Sequence, residues 1–512
     1  MHAIIAATFL LATPALPVKA VAGPEPSQAE LRAAKALDGV RGDPLALNEF
    51  LKRMPKGGEL HLHLHSAVFA ETLIQDAIED KLCVDVAAHA FDKRQVAGDS
   101  APSCVEGTVP AAAVLKDQQL YDGLIDAFSM RGFNTSEGDT GHDHAFTKFG
   151  GTDPSHTGEW LDEVANRAAN QNTQYLELMA TPTWNRLNTI TKDVAWREDL
   201  EGLRQELLAK GLAEDIPAAR EFWTTAEAKR RELGRCNEEG EAPGCTVALR
   251  YIYEVFRNNP KELVFAQTLF GFELAAADPR VVAINFVGEE DGPSAMADYT
   301  EHMRMVGFFR ALYPKVHVSL HAGELVPGLV PPEGLCCHIR LAVEEAGTDR
   351  IGHGVDVMYE DHPYELLKTM ADKGVLVEIN LTSNDLILGI SGNTHPFATY
   401  RKFGVPVALS TDDPGIERID LTHDYARAVT DYALTYADLK ELVRNNIEYS
   451  FLPGAGLWAD KGGFSRFAAD CGGDRPGQGE PSPPCASFLA ANAKAAQQWE
   501  LERRFQAFET GF

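Results

Sequence analysis

Glu59-Leu60-His61-Leu62-His63-Leu64-His65 sets a polar side chain at every second position of an apolar run. Period-two alternation is that of a β-strand, whose successive side chains point to opposite faces. His61 and His63 therefore share one face and can grip one ion, while Leu60, Leu62 and Leu64 face packed helices. His65 falls past the strand end. An inner face of imidazole and an outer face of leucine predict a sheet buried on both sides, the habit of parallel sheets.

Seven more short β-rich runs follow, over residues 174–180, 248–255, 281–287, 316–321, 350–353, 375–380 and 406–410. Helix-like segments separate them, such as 158–169, 361–373 and 393–403. Eight strand–helix units are the number that closes a (β/α)8 barrel. The expected architecture is such a barrel over residues 57–512, preceded by a helical extension over 23–56 with Leu31, Ala34, Leu37 and Val40 at helical spacing. An open doubly wound sheet is the alternative. No GxGxxG follows an early strand and no Walker-type loop is present, so no nucleotide-phosphate cradle is expected.

The 512 residues include 75 acidic and 47 basic side chains, a net charge of −28. Such a surface repels phosphate backbones and anionic lipid, which argues against a nucleic-acid binder and leaves a small neutral or cationic ligand. Residues 4–16 form an apolar run broken by Thr8, Thr13 and Pro14, too short to span a bilayer, and Ala20-Val21-Ala22 offers a small-residue cleavage site. This predicts a signal peptide over 1–22 and a secreted or periplasmic protein. No later run is long and apolar enough for a membrane span.

Six of the eight cysteines fall in close pairs, Cys83/Cys104, Cys236/Cys245 and Cys471/Cys485, each bracketing a polar stretch that reads as a stapled insertion. Eight cysteines allow 105 pairings, so connectivity stays open. The adjacent Cys336-Cys337 is expected as an unbonded pair of buried helix residues. No pair has the spacing of a zinc ribbon.

The carboxyl ends of barrel strands converge on one face, where chemistry is built. Three further groups of residues fall at such ends. Val318-Ser-Leu-His-Ala-Gly-Glu324 supplies a third imidazole, His321, with a carboxylate, Glu324, three residues on. That combination suits a metal-activated water and a proton donor. Arg350-Ile-Gly-His-Gly354 sets His353 between glycines that permit close backbone approach; His353 can ligate or hydrogen-bond the water. Ala408-Leu-Ser-Thr-Asp-Asp-Pro414 ends the last run with Asp412 and Asp413, of which one can take the metal and the other a substrate atom. Asp before Pro is also a common helix start. Three His and one Asp form an N3O set that favours zinc.

Met54-Pro-Lys-Gly-Gly-Glu-Leu-His-Leu-His63, Ser319-Leu-His-Ala-Gly-Glu324, Arg350-Ile-Gly-His-Gly354 and Ser410-Thr-Asp-Asp-Pro414 resemble, in order, the four signature segments of the adenosine deaminase family, in the metal-dependent amidohydrolase superfamily. The opening segment, the signal peptide and the Cys83/Cys104 insertion are similar to the secreted growth factor branch. The resemblance implies one zinc per chain held by His61, His63, His321 and Asp412. It implies that Glu324 protonates purine N1, that His353 positions and deprotonates the water, that Asp413 bonds N7 and that Gly288 offers its backbone to the purine. Where the family usually carries an Asp just after the HxH, this chain has His65-Ser66, which makes His65 the candidate sugar contact. Glu177 resembles a substrate-contacting acid of the growth factor branch.

The expected activity is zinc-dependent deamination of adenosine, and of 2′-deoxyadenosine, to inosine and ammonia. The alternatives are a deaminase or amidohydrolase acting on another purine or small amide, and a catalytically silent secreted binding protein. The fourth run, 281–287, carries no Lys to bridge two metals, and the HxE…PCxxC signature of cytidine-type zinc sites is absent. The partner is a small purine nucleoside; the 23–56 helices are a candidate homodimer surface.

Overall fold

The computed structural model describes residues 26–92, 104–133, 140–152, 154–182 and 186–512. The expected signal peptide lies outside them. Eight parallel strands follow one another around a barrel: β1 (Gly57–His63), β2 (Thr173–Met179), β3 (Ala248–Phe256), β4 (Val281–Val287), β5 (His317–Ala322), β6 (Arg350–His353), β7 (Leu376–Ile379) and β8 (Val407–Leu409). The seam between β8 and β1 is closed just past β8. The N–H of His63 donates to the Asp412 carbonyl at 3.0 Å and that of Asp412 to the His61 carbonyl at 3.1 Å. Ser410 Oγ accepts from the N–H groups of Leu60 and His61 at 3.3 and 3.2 Å. The fold is a (β/α)8 barrel.

Strands and surrounding helices share one continuous core because each strand is apolar outward, as Leu60, Leu62, Leu176, Leu178, Val318 and Leu320 show. The interior is polar near its floor. Arg350 pairs with Glu177 at 2.7 Å and with Glu378 at 2.5 Å, and lies 3.7 Å from the centre of the Phe451 ring. Between β1 and β2 the chain makes a long excursion that includes a three-stranded antiparallel sheet of Cys83–Asp85, Ala90–Asp92 and Thr108–Pro110.

Helices Gln28–Val40 and Pro44–Arg53 start at Ser27 and Asp43, whose side chains accept from backbone N–H groups of the first turn. Their buried Leu37, Leu47, Phe50 and Leu51 belong to the main core. The Phe50 ring sits 5.2 Å from Phe508 on helix Ala493–Thr510 and 6.3 Å from Tyr436 on helix Tyr436–Glu448. The apolar face of these two helices is thus covered within the chain.

Disulfides join Cys83–Cys104, Cys236–Cys245 and Cys471–Cys485. The expectation for Cys336 and Cys337 is corrected: they bond each other and lie half-buried in the turn before helix His338–Glu344, not inside a helix. Cys337 takes a left-handed backbone, φ 84°, which no helix residue can adopt. Among the described residues no helix is long and apolar enough to cross a membrane.

Candidate active site

A cavity of about 410 Å³ opens at the carboxyl ends of the strands. Its polar wall includes His63, His65, Glu254, Glu324, Asp412 and Asp413, and its apolar wall includes Phe146, Phe149, Phe256 and Ile387. Gly288 lines it with φ 90°, a backbone open to glycine at little cost. Among the described residues no lysine or arginine lines it.

Five side chains converge at its base. His61 Nε2 lies 3.1 Å and His63 Nε2 3.5 Å from Asp412 Oδ1, and the Nε2 atoms of His63 and His321 are 3.3 Å apart. His61, His321, His353 and Asp412 each bring a ligand-type atom within 4.8 Å of the others, and His63, Asp412 and Asp413 form a second such set. The close approach explains the glycine before His353. A Cβ on Gly352 would stand 2.5 Å from the His61 ring.

The three histidines that reach the base from the first and fifth strands, His61, His63 and His321, are held from behind. Nδ1 of His61 donates to Glu378 at 2.7 Å, Nδ1 of His63 to Glu254 at 2.9 Å and Nδ1 of His321 to Asn285 Oδ1 at 2.9 Å. A proton committed to Nδ1 leaves the Nε2 lone pair for a metal, as outer partners of metal-binding histidines do. Asp412 Oδ2 accepts from Ser383 Oγ at 2.8 Å. These residues fit a divalent metal in the chemistry of their donors.

Charge balance supports that fit. Burial disfavours a charged His61, yet hydrogen bonds to Asp412 and Glu378 outweigh it and push the ring up to about 9. His63 is likewise pushed up to about 9, its burial outweighed by Glu254 and the two Asp carboxylates. The site therefore calls for positive charge between these groups. Burial and the neighbouring Asp412 charge hold Glu324 well above the usual carboxylate range, which keeps it protonated and able to donate. Burial and Asp412 push Asp413 up to about 7. Burial pulls His353 down to about 4, against the charge of Asp412.

Residues 161–456 match the family model described as adenosine deaminase, more than half of the chain. The chain belongs to the adenosine deaminase family. The adenosine deaminase of Pectobacterium atrosepticum is 30% identical over 174 residues, 34% of this chain and 47% of that protein. The adenosine deaminase of Yersinia pseudotuberculosis is 31% identical over the same length and shares. The chain thus spans about half the length of the curated relatives it matches. An amidohydrolase structure from Burkholderia ambifaria, with bound Zn, has a TM-score of 0.51 at 18% identity, over 90% of this chain and 94% of that one, and shares the fold.

For an adenosine deaminase family member, most residues singled out in the sequence share one place. His61, His63, His321, His353 and Asp412 meet at the base, with His353 Nε2 3.7 Å from Glu324 Oε1. Asp413, Gly288 and His65 line the cavity; Ser66 bonds Asp413, and His65 packs edge-on to Trp160 at 5.3 Å. Glu177 is corrected. It does not line the cavity but is buried in the barrel floor, where Arg350, the Tyr175 hydroxyl at 2.7 Å and the Phe451 N–H at 2.6 Å consume its carboxylate.

The sequence reading missed Glu254, Asn285 and Glu378, the supports behind the histidines. Their signal was a lone polar residue inside an apolar strand, as in Val281-Val-Ala-Ile-Asn285-Phe-Val287 and Val375-Leu-Val-Glu378-Ile. It also missed Glu290, which accepts from the N–H groups of Gly323 and Glu324 at 3.0 and 2.8 Å and so sets the loop carrying Glu324. Glu290 lies past β4 in a run of acids, 289–291, where sequence alone singles out none.

Proposed function

We propose that the protein is a zinc-dependent adenosine deaminase, converting adenosine and 2′-deoxyadenosine to inosine and ammonia. The observation that carries this reading is the pairing of a His/Asp cluster with a Glu324 carboxyl held well above the usual carboxylate range, in a cavity lined, among the described residues, by no lysine or arginine. A nucleotide substrate would leave a phosphate dianion among Glu254, Asp412 and Asp413 without a counter-charge. A neutral nucleoside meets no such cost.

His61, His63, His321 and Asp412 would hold the metal. Bound zinc supplies a Lewis acid that lowers the pKa of water to about 7. Glu324 gives its proton to purine N1, so that charge entering the ring as C6 is attacked is neutralised. Asp413, held by Ser66, faces N7, and its raised pKa lets it donate there. The Gly288 backbone meets the purine edge. His353 hydrogen-bonds the attacking oxygen, and Phe146, Phe149 and Phe256 cover the apolar ring face and thin out water.

The test is a panel of adenosine, 2′-deoxyadenosine, adenine and adenosine monophosphate, read by loss of adenine absorbance with ammonia measured in parallel. The nucleosides should be turned over with kcat/KM at least tenfold above the monophosphate. Preference for the monophosphate would overturn the nucleoside reading, and no turnover of any purine would overturn deamination.

A further inference from the structure

The proton positions around His353 can be read from a chain of hydrogen bonds that starts at a backbone amide. The N–H of Phe397 donates to Nδ1 of His395 at 3.1 Å. A backbone amide is always a donor, so this Nδ1 is bare and the neutral ring carries its proton on Nε2. That Nε2 faces Asn384 Oδ1 at 2.9 Å and donates to it. The orientation of the amide is thereby settled, and its Nδ2 faces Nδ1 of His353 at 2.8 Å. Nδ1 of His353 accepts, and its proton sits on Nε2.

Burial makes the chain binding. His353 and Asn384 are fully buried and His395 is 3% exposed, so no bulk water relieves a reversed bond. Reversing His353 would turn the Asn384 amide and set its NH2 against the Nε2–H of His395, two donors facing each other in a dry site. Nε2 of His353 makes no hydrogen bond of its own and lies 3.6 Å from Asp412 Oδ2 and 3.7 Å from Glu324 Oε1. His61, His63 and His321 show the opposite arrangement, with Nδ1 directed at an acceptor oxygen.

We infer that Asn384 and His395 are positioning residues that hold His353 as a neutral Nε2–H donor aimed at the attacking oxygen. A nitrogen that carries its proton has no lone pair in the ring plane. His353 is therefore neither a fourth imidazole ligand nor the base that takes the water proton; it orients the oxygen and stabilises its charge. The identity of that oxygen rests on the deaminase reading above, whereas the proton position does not.

Asn384→Asp tests this, because a carboxylate accepts from both rings and draws the His353 proton to Nδ1. The measurement is the ¹⁵N shift of labelled histidines in zinc-loaded, full-length protein, with His353→Ala for assignment, beside kcat, KM and zinc content. Wild type should show His353 protonated on Nε2. Asn384→Asp should reverse it, lower kcat on the order of 10²-fold, as loss of one preorganised donor does, and leave KM within about threefold and zinc unchanged. His395→Phe, which keeps the ring volume, should free the amide to turn and lower kcat by roughly tenfold. It carries the test if the Asp variant does not fold. A bare Nε2 on wild-type His353 would overturn the inference, as would full kcat in both variants. If no purine is deaminated at all, the proposed activity fails while the ¹⁵N shifts still decide the proton position.

Discussion

Glu324 is the residue on which the proposed chemistry turns. Its carboxyl is kept protonated by burial and by the Asp412 charge, while Glu290 fixes its backbone. Glu324→Gln keeps the shape but cannot give up a proton as an acid does, so kcat should fall by roughly 10²–10⁴-fold with zinc retained. Zinc loss in that variant would make Glu324 a ligand instead. His65 is the departure from the family pattern and the proposed sugar contact, and burial lowers its pKa, which favours a neutral ring. One neutral hydrogen bond is worth about 0.5–1.5 kcal/mol net. His65→Ala should therefore raise KM by roughly 3–10-fold with kcat nearly intact. Comparing adenosine with 2′- and 5′-deoxyadenosine locates the hydroxyl; a collapse of kcat would place His65 in the catalytic machinery. Glu290 carries a pH signature. Burial opposes its charge, but hydrogen bonding to His338 at 2.6 Å, the His338 and Arg257 charges and the Glu324 N–H bring it down to about 2. A carboxylate depressed in the fold adds stability that is complete above its unfolded pKa and is lost as pH falls from about 4.5 toward 2. Urea unfolding should show a Glu290→Gln deficit at pH 7, on the order of 3 kcal/mol, that shrinks in this window. A deficit constant down to pH 2.5 would contradict the ionised form.

At the scale of elements, strand ends and staples decide where these residues sit. His353, at the end of β6, and Asp412, three residues past β8, both lie in the left-handed region, at φ 67° and 73°. Such backbone costs about 1–3 kcal/mol for a residue with a Cβ and persists where surrounding structure over-determines it. Here the β8–β1 seam and the Asn384 hydrogen bond do so. The Cys471–Cys485 bond closes a loop under the C-terminal helices, with both cysteines buried beside Leu457 and Trp499. A loop of about 15 residues closed this way gains about 3 kcal/mol. Replacing both by Ser should lower the urea midpoint accordingly without changing kcat. All eight cysteines are paired. Thiol counting in denaturant before reduction should find none free, and two would mean that Cys336 and Cys337 are unbonded.

Across the whole molecule, the barrel was legible because its strands are apolar outward and several carry polar residues at or just past their carboxyl ends. Even the three-residue β8 was betrayed by the acids behind it, Asp412 and Asp413. The clustering of the candidate ligands was legible for the same reason, since strand order brings four distant motifs into one pocket. The supports were not, because Glu254, Asn285 and Glu378 act through register between strands, which no single segment shows. Glu177 misled because inward-facing acids serve the floor as well as the mouth, and only its pairing with Arg350 tells which. Cys336-Cys337 misled because here the pair sits in a turn, with Cys337 in the left-handed region, that sequence does not announce. The proposal that unites the residues is a metal-dependent deamination, and the most direct measurement is a titration of zinc into chelator-treated, full-length protein while inosine formed from adenosine is followed. Activity should rise linearly and break at about one zinc per chain, with ammonia released mole for mole with inosine. Full activity in the metal-free protein, or no inosine once one zinc is bound, would contradict it.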